Sequence, residues 1–194
     1  MLPADAKVTT EMLWRGALIL ALIDVVFVSI LALRLKRERF RRLKWALFVS
    51  AAAFWFAVWA LMSSCFWDAV YHYVFPHWAR WVIPPVYGVL FGAVALLFWR
   101  LALRLPGNAV LSFCVFGGLL GMATHIWAVY RGILDKPPLL QGASPVAAVI
   151  MPIFEFMLYW CIILSIANLL RHGWERSKRG VQTPPQDAGG ATGT

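Results

Sequence analysis

The 194-residue chain is 61% hydrophobic and only 14% charged, with a mean hydropathy of +0.71, whereas soluble domains are about 45–50% apolar and about 25% charged. Its apolar residues come in blocks of the length that a hydrocarbon layer roughly 30 Å thick demands of a helix. A soluble globule is excluded, and the expectation is an all-α integral membrane protein, a bundle of five transmembrane helices. The net charge of +9 is concentrated in short clusters between or after those blocks, the pattern of topology-setting loops with some attraction to anionic lipid. No nucleic-acid partner is expected; the partner is the lipid bilayer.

The first span is predicted over 12–33, with Asp24 near its middle. No basic cluster precedes it, so it reads as a retained helix and not as a cleaved signal. A basic loop follows (Arg34, Lys36, Arg37, Arg39, Arg41, Arg42, Lys44), then a second span over 45–67. That span runs into "FWDAVYHYVFPHW", which sets Asp68, His72 and His77 among aromatic rings. The third span is predicted over 81–103 and the fourth over 109–130. The connection "RLPGN" between them is so short that the two must form an antiparallel hairpin, with Asn108 as the cap of the fourth helix. A fifth span over 145–170 is followed by Arg171, Arg176, Lys178 and Arg179. Residues 1–180 are read as one five-helix domain and the Pro/Gly-rich stretch 181–194 as a disordered polar tail.

Placing the three basic clusters on one side puts 13 of the 18 Lys and Arg there, leaving Lys7, Arg15, Arg80, Arg131 and Lys136 opposite. The N-terminus is then outside and the C-terminus cytoplasmic, as expected for a multi-pass protein of the cell (plasma or inner) membrane. Gly88 and Gly92, and Gly117 and Gly121, each read G-x-x-x-G and predict close helix approach. Most of the eleven Trp fall near span ends and read as an interfacial belt, with Trp67, Trp78, Trp81 and Trp127 able to roof a pocket. Cys65, Cys114 and Cys161 lie in separate segments without a C-x-x-C pair and read as small packing residues.

Ionisable side chains at membrane depth cost several kcal/mol, so they face the bundle interior and find partners. Glu155 lies roughly 15 Å below the start of the fifth helix and His125 roughly 9 Å below the end of the fourth, at about 1.5 Å per residue. Asp68 and His72, four apart, share a face if the second helix continues to Val74. Asp68, His72, His125 and Glu155 are therefore the candidate metal ligands, a mixed N/O set suited to a transition metal ion such as zinc, copper or iron. His77, Asp24, Tyr71 and Tyr159 are accessory candidates. Asp24 has a second reading, as a protonated carboxyl bonded to a neighbouring helix.

The D-x-x-x-H pair at Asp68 and His72 locally resembles the membrane metal-ligand motif in one subunit of the particulate methane and ammonia monooxygenases. That motif adds a further histidine; the comparable region here, "WVIPPVYG", has Val86 and Tyr87. No G-x-S-x-G elbow, H-E-x-x-H, phosphate-binding loop or G-x-G-x-x-G occurs. Three functional readings follow. The first is a membrane metalloenzyme or metal-handling protein. The second is a small-molecule or proton-coupled transporter or lipophilic-ligand binder, and the third a non-catalytic subunit or assembly factor of a membrane complex. Homo-oligomerisation or membrane-complex partners accompany the last two.

Overall fold

The computed structural model describes residues 7–181, with side chains through residue 177. In chain order the helices are α1 (Thr10–Arg34), a five-residue α2 (Arg37–Arg41), α3 (Lys44–Cys65), α4 (Ala79–Arg104), α5 (Ala109–Tyr130) and α6 (Pro145–Val181). All but α2 are long and apolar enough to cross a membrane, and no strand occurs among the described residues. Lipid offers backbone N–H and C=O groups no partner, so each apolar block satisfies its own as a helix. Between spans, Thr9 caps α1 by accepting from the Met12 N–H, and Asn108 caps α5 by accepting from the Val110 and Leu111 N–H groups, as expected of it. Gly107, with φ +90°, makes the tight turn ahead of Asn108.

The helix ends lie within two residues of the expected spans except at the end of α6, and the extension of the second helix to Val74, the condition for pairing Asp68 with His72, is not made. Helix α6 does not end at Leu170 but runs on to Val181; no proline interrupts this stretch, and Arg171 and Glu175 pair one turn apart at 2.7 Å. The tail expected over 181–194 lies outside the described residues, apart from Val181 itself. Helix α3 ends at Cys65 and does not continue to Val74. Trp67 is 1% exposed, packed with Ala79 and Ile83 of α4, and the chain must turn back at Phe66 to put it there. The turn and a short 3-10 segment at Tyr71–Tyr73 are held by N–H donation from Val70 to Phe66 O, His72 to Trp67 O and Phe75 to Tyr71 O.

In the bundle α3 pairs with α4, α5 pairs with α6, and α1 lies mainly along α6. The G-x-x-x-G glycines set the first two pairings. A methyl at Gly88 would stand 2.9 Å from the Ala52 carbonyl of α3, and one at Gly121 2.5 Å from the Pro152 carbonyl of α6; at Gly117 it would collide with the Trp160 indole. Each pair thus meets a bulky neighbour, and the two glycine faces do not meet each other. Trp160 is fully buried, its ring 5.1 Å from Phe98 and 5.4 Å from Phe113. Cys114 and Cys161 are buried beside this core with their sulfurs 3.5 Å apart, the packing role expected of them. Much of the outer surface is large and apolar, with Leu33 83% and Tyr130 85% exposed, as lipid-facing helices require.

Helix α2 is pinned at the basic end of the bundle. Phe40 and Leu43 are fully buried, and the Trp99 indole N–H donates to Phe40 O at 3.1 Å. The Arg37 guanidinium donates to the carbonyls of Leu103, Leu105 and Gly107, satisfying the last carbonyls of α4 and the hairpin.

Candidate functional site

A cavity of about 540 Å³ opens between α3, α4, α5 and α6 at the end of the bundle opposite α2, with the 66–78 loop forming part of its wall. Helix α3 contributes Trp55, Val58, Trp59 and Met62, a stripe at one-turn spacing. The loop contributes Tyr71 and Phe75; Tyr87 and Phe91 come from α4, Thr124, His125 and Trp127 from α5, and Glu155, Phe156 and Tyr159 from α6. The walls are aromatic rings in mutual contact: Trp55 stacks on Phe91 with centroids 4.1 Å apart, and Trp59 lies 4.6 Å from Tyr87 and 5.4 Å from Tyr71.

Glu155 is the one carboxylate in this lining, and no Lys or Arg joins it among the described residues. Its Oε1 accepts from the Tyr159 hydroxyl, one turn further along α6. A carboxylate has about four acceptor positions, so this bond leaves Glu155 most of its capacity. His125 Nδ1 is 2.9 Å from Gly121 O. A carbonyl only accepts, so Nδ1 carries a proton there, and in the neutral ring Nε2 is the free acceptor. The Thr124 hydroxyl donates back to its own helix, to Leu120 O and Gly121 O. At Tyr71, burial, then the Glu155 carboxylate and then Tyr87 push the hydroxyl up to about 12. It therefore stays protonated, and a donor, throughout the neutral range.

The four candidate metal ligands do not come together. His125 and Glu155 line the cavity, but Asp68 and His72 are exposed on the loop and do not. Their four-residue spacing brings two side chains close together on one face within a helix, and α3 has already ended. Instead the His72 ring lies against Tyr73, at 3.7 Å between centroids. Among the described residues no group of three His, Cys, Asp or Glu side chains is placed to hold a metal ion. His77 is also exposed, edge-on to Trp67 at 6.4 Å, and outside the lining. Asp24 is only 2% exposed in α1, lies away from the cavity, and has no hydrogen-bond partner on either oxygen. The helix-joining bond expected of it is not formed.

Of the accessory candidates, Tyr71 and Tyr159 do reach the cavity. Of the four possible roofing tryptophans only Trp127 lines it; Trp67 is buried under the loop, while Trp78 and Trp81 are exposed. Trp55, Trp59 and Tyr87 were not anticipated as lining residues. The signal available for the first two was their spacing with Met62, which sets all three on one face of α3. The chain matches no protein-family model, no curated protein and no solved structure.

Proposed function

We propose that this membrane protein binds a lipophilic cation, such as a hydrophobic amine, in the aromatic cavity, with Glu155 as its counter-ion. The observation that carries the reading is a single carboxylate set among nine aromatic side chains in a space of about 540 Å³ with no Lys or Arg in the lining among the described residues. Cavities of roughly 300–1,000 Å³ hold drug-sized ligands. Ring faces attract cations by about 0.5–2 kcal/mol each, more as water is excluded. A carboxylate at this depth is costly to keep charged, and a cationic ligand offsets that cost. Tyr71 and Tyr159 supply hydroxyls beside the charge, and the loop closes the end toward the membrane surface that the charge pattern assigns to the outside.

Tetraphenylphosphonium and tetraphenylborate, nearly equal in size and opposite in sign, test the charge preference. Titrated against the protein in nanodiscs and followed by tryptophan quenching, the cation is expected to bind at least tenfold more tightly than the anion. Glu155→Gln is expected to weaken the cation roughly thirtyfold, the equivalent of about 2 kcal/mol, and to leave the anion unchanged or improved. Equal binding of both ions to the wild type would overturn the reading.

A further inference from the structure

A second cavity, of about 450 Å³, lies at the opposite end of the bundle, between the end of α1, the α2 segment and the distal part of α6. Arg34, Lys36, Arg39, Arg42 and Arg171 line it together with His172, and the acids there are Glu38 and Glu175. The sequence scatters these cations over nearly 140 positions, in two of its three basic clusters. Folding collects them around one concavity. The third cluster, Arg100 and Arg104, stays exposed and outside it.

Topology-setting charge alone requires no such convergence, because loop Lys and Arg act by number and side. The scaffold behind this pocket is also fixed. Buried Phe40 and Leu43 hold α2 in place, Arg37 is committed to the carbonyls ending α4, and the Asn108 amide donates to Ala32 O at 3.2 Å near the end of α1. Arg171 is oriented by Glu175 at 2.7 Å. The backbone that carries these cations, and the Arg171 side chain, are thus held in place ahead of any ligand, which lowers part of the ordering cost of binding. Several Arg at one concavity match the oxygens of a phosphate, which guanidinium groups bind in a forked geometry. The pocket also lies where α1 and α6 leave their apolar stretches, at the depth of lipid headgroups.

We infer that this pocket is a binding site for a phosphate-bearing anion, independent of the aromatic cavity. Two sources share that chemistry: the headgroup of an anionic phospholipid and free phosphate in solution. Native mass spectrometry of the full chain, released from detergent, tests it with dioctanoyl phosphatidylglycerol, dioctanoyl phosphatidylcholine and inorganic phosphate as probes.

Wild type is expected to retain the anionic lipid at least tenfold more tightly than the zwitterionic one. Arg39→Gln with Arg42→Gln is expected to remove that preference, while Arg100→Gln with Arg104→Gln, of equal charge change, keeps it. Competition by inorganic phosphate at millimolar concentration identifies free phosphate as a ligand; its absence identifies the lipid headgroup, and either result supports the site. Equal losses from both double variants, or no anion preference in the wild type, would overturn it. Unchanged thermal unfolding of both variants establishes that a loss of binding is not a loss of fold.

Discussion

At Gly117 the absent methyl is what admits the Trp160 indole to the core, between Phe98 and Phe113. Gly117→Ala forces either the indole or the α5–α6 spacing to shift, and overpacking of this kind costs about 1–3 kcal/mol. The expected result is a lower thermal unfolding temperature in detergent; an unchanged temperature would show that Trp160 has room to move. The same scale explains which site residues could be read from the sequence. Glu155 and His125 stood out because an ionisable group inside an apolar run is rare and expensive, and both do line the cavity. Asp68 and His72 were grouped with them by a helical phase that holds only if the helix exists. Their exposure on the loop shows that it stops short.

Among the elements, the α4–α5 hairpin was the most legible, because "RLPGN" leaves no other connection and Asn108 is a strong capping residue. Asn108→Ala removes the cap on α5 and the bond to Ala32 O together, at a cost of about 1–2 kcal/mol. Asn108→Asp keeps the capping oxygen and loses only the amide donor, so its unfolding temperature is expected to fall between those of wild type and Asn108→Ala. Equal loss in both variants would place the stabilisation in the Ala32 contact alone. The 66–78 loop was the least legible element. Its aromatics fit an interfacial belt as well as a folded cover, and the deciding fact is tertiary: Trp67 has a buried seat against Ala79 and Ile83. Helix α6 was read as too short because hydropathy marks where lipid ends, not where hydrogen bonding ends.

For the whole molecule, five apolar spans were legible from composition and block length alone, and the helices of the bundle agree with them. Which helices pair was not. Gly88 and Gly117 carry the same motif, but the identity of the opposing surface depends on three-dimensional arrangement: Gly88 meets α3 and Gly117 meets α6. Sidedness remains an expectation from the Lys and Arg distribution. It predicts that His77→Cys, on the exposed loop in a Cys65→Ser background, reacts with a membrane-impermeant maleimide added to intact cells. Labelling only after lysis would reverse the orientation.

The position of α1 along α6 has a consequence for the order of synthesis. The Thr10 hydroxyl accepts from the Ser144 N–H across 134 positions of chain, so α1 finds its main neighbour only when α6 emerges. At about 5–20 residues per second, that is an interval of roughly 7–27 s. Throughout it Asp24, which ends up enclosed, has no enclosing surface from α6. A chain stalled before α6 would leave Asp24 without the α6 face along which α1 packs.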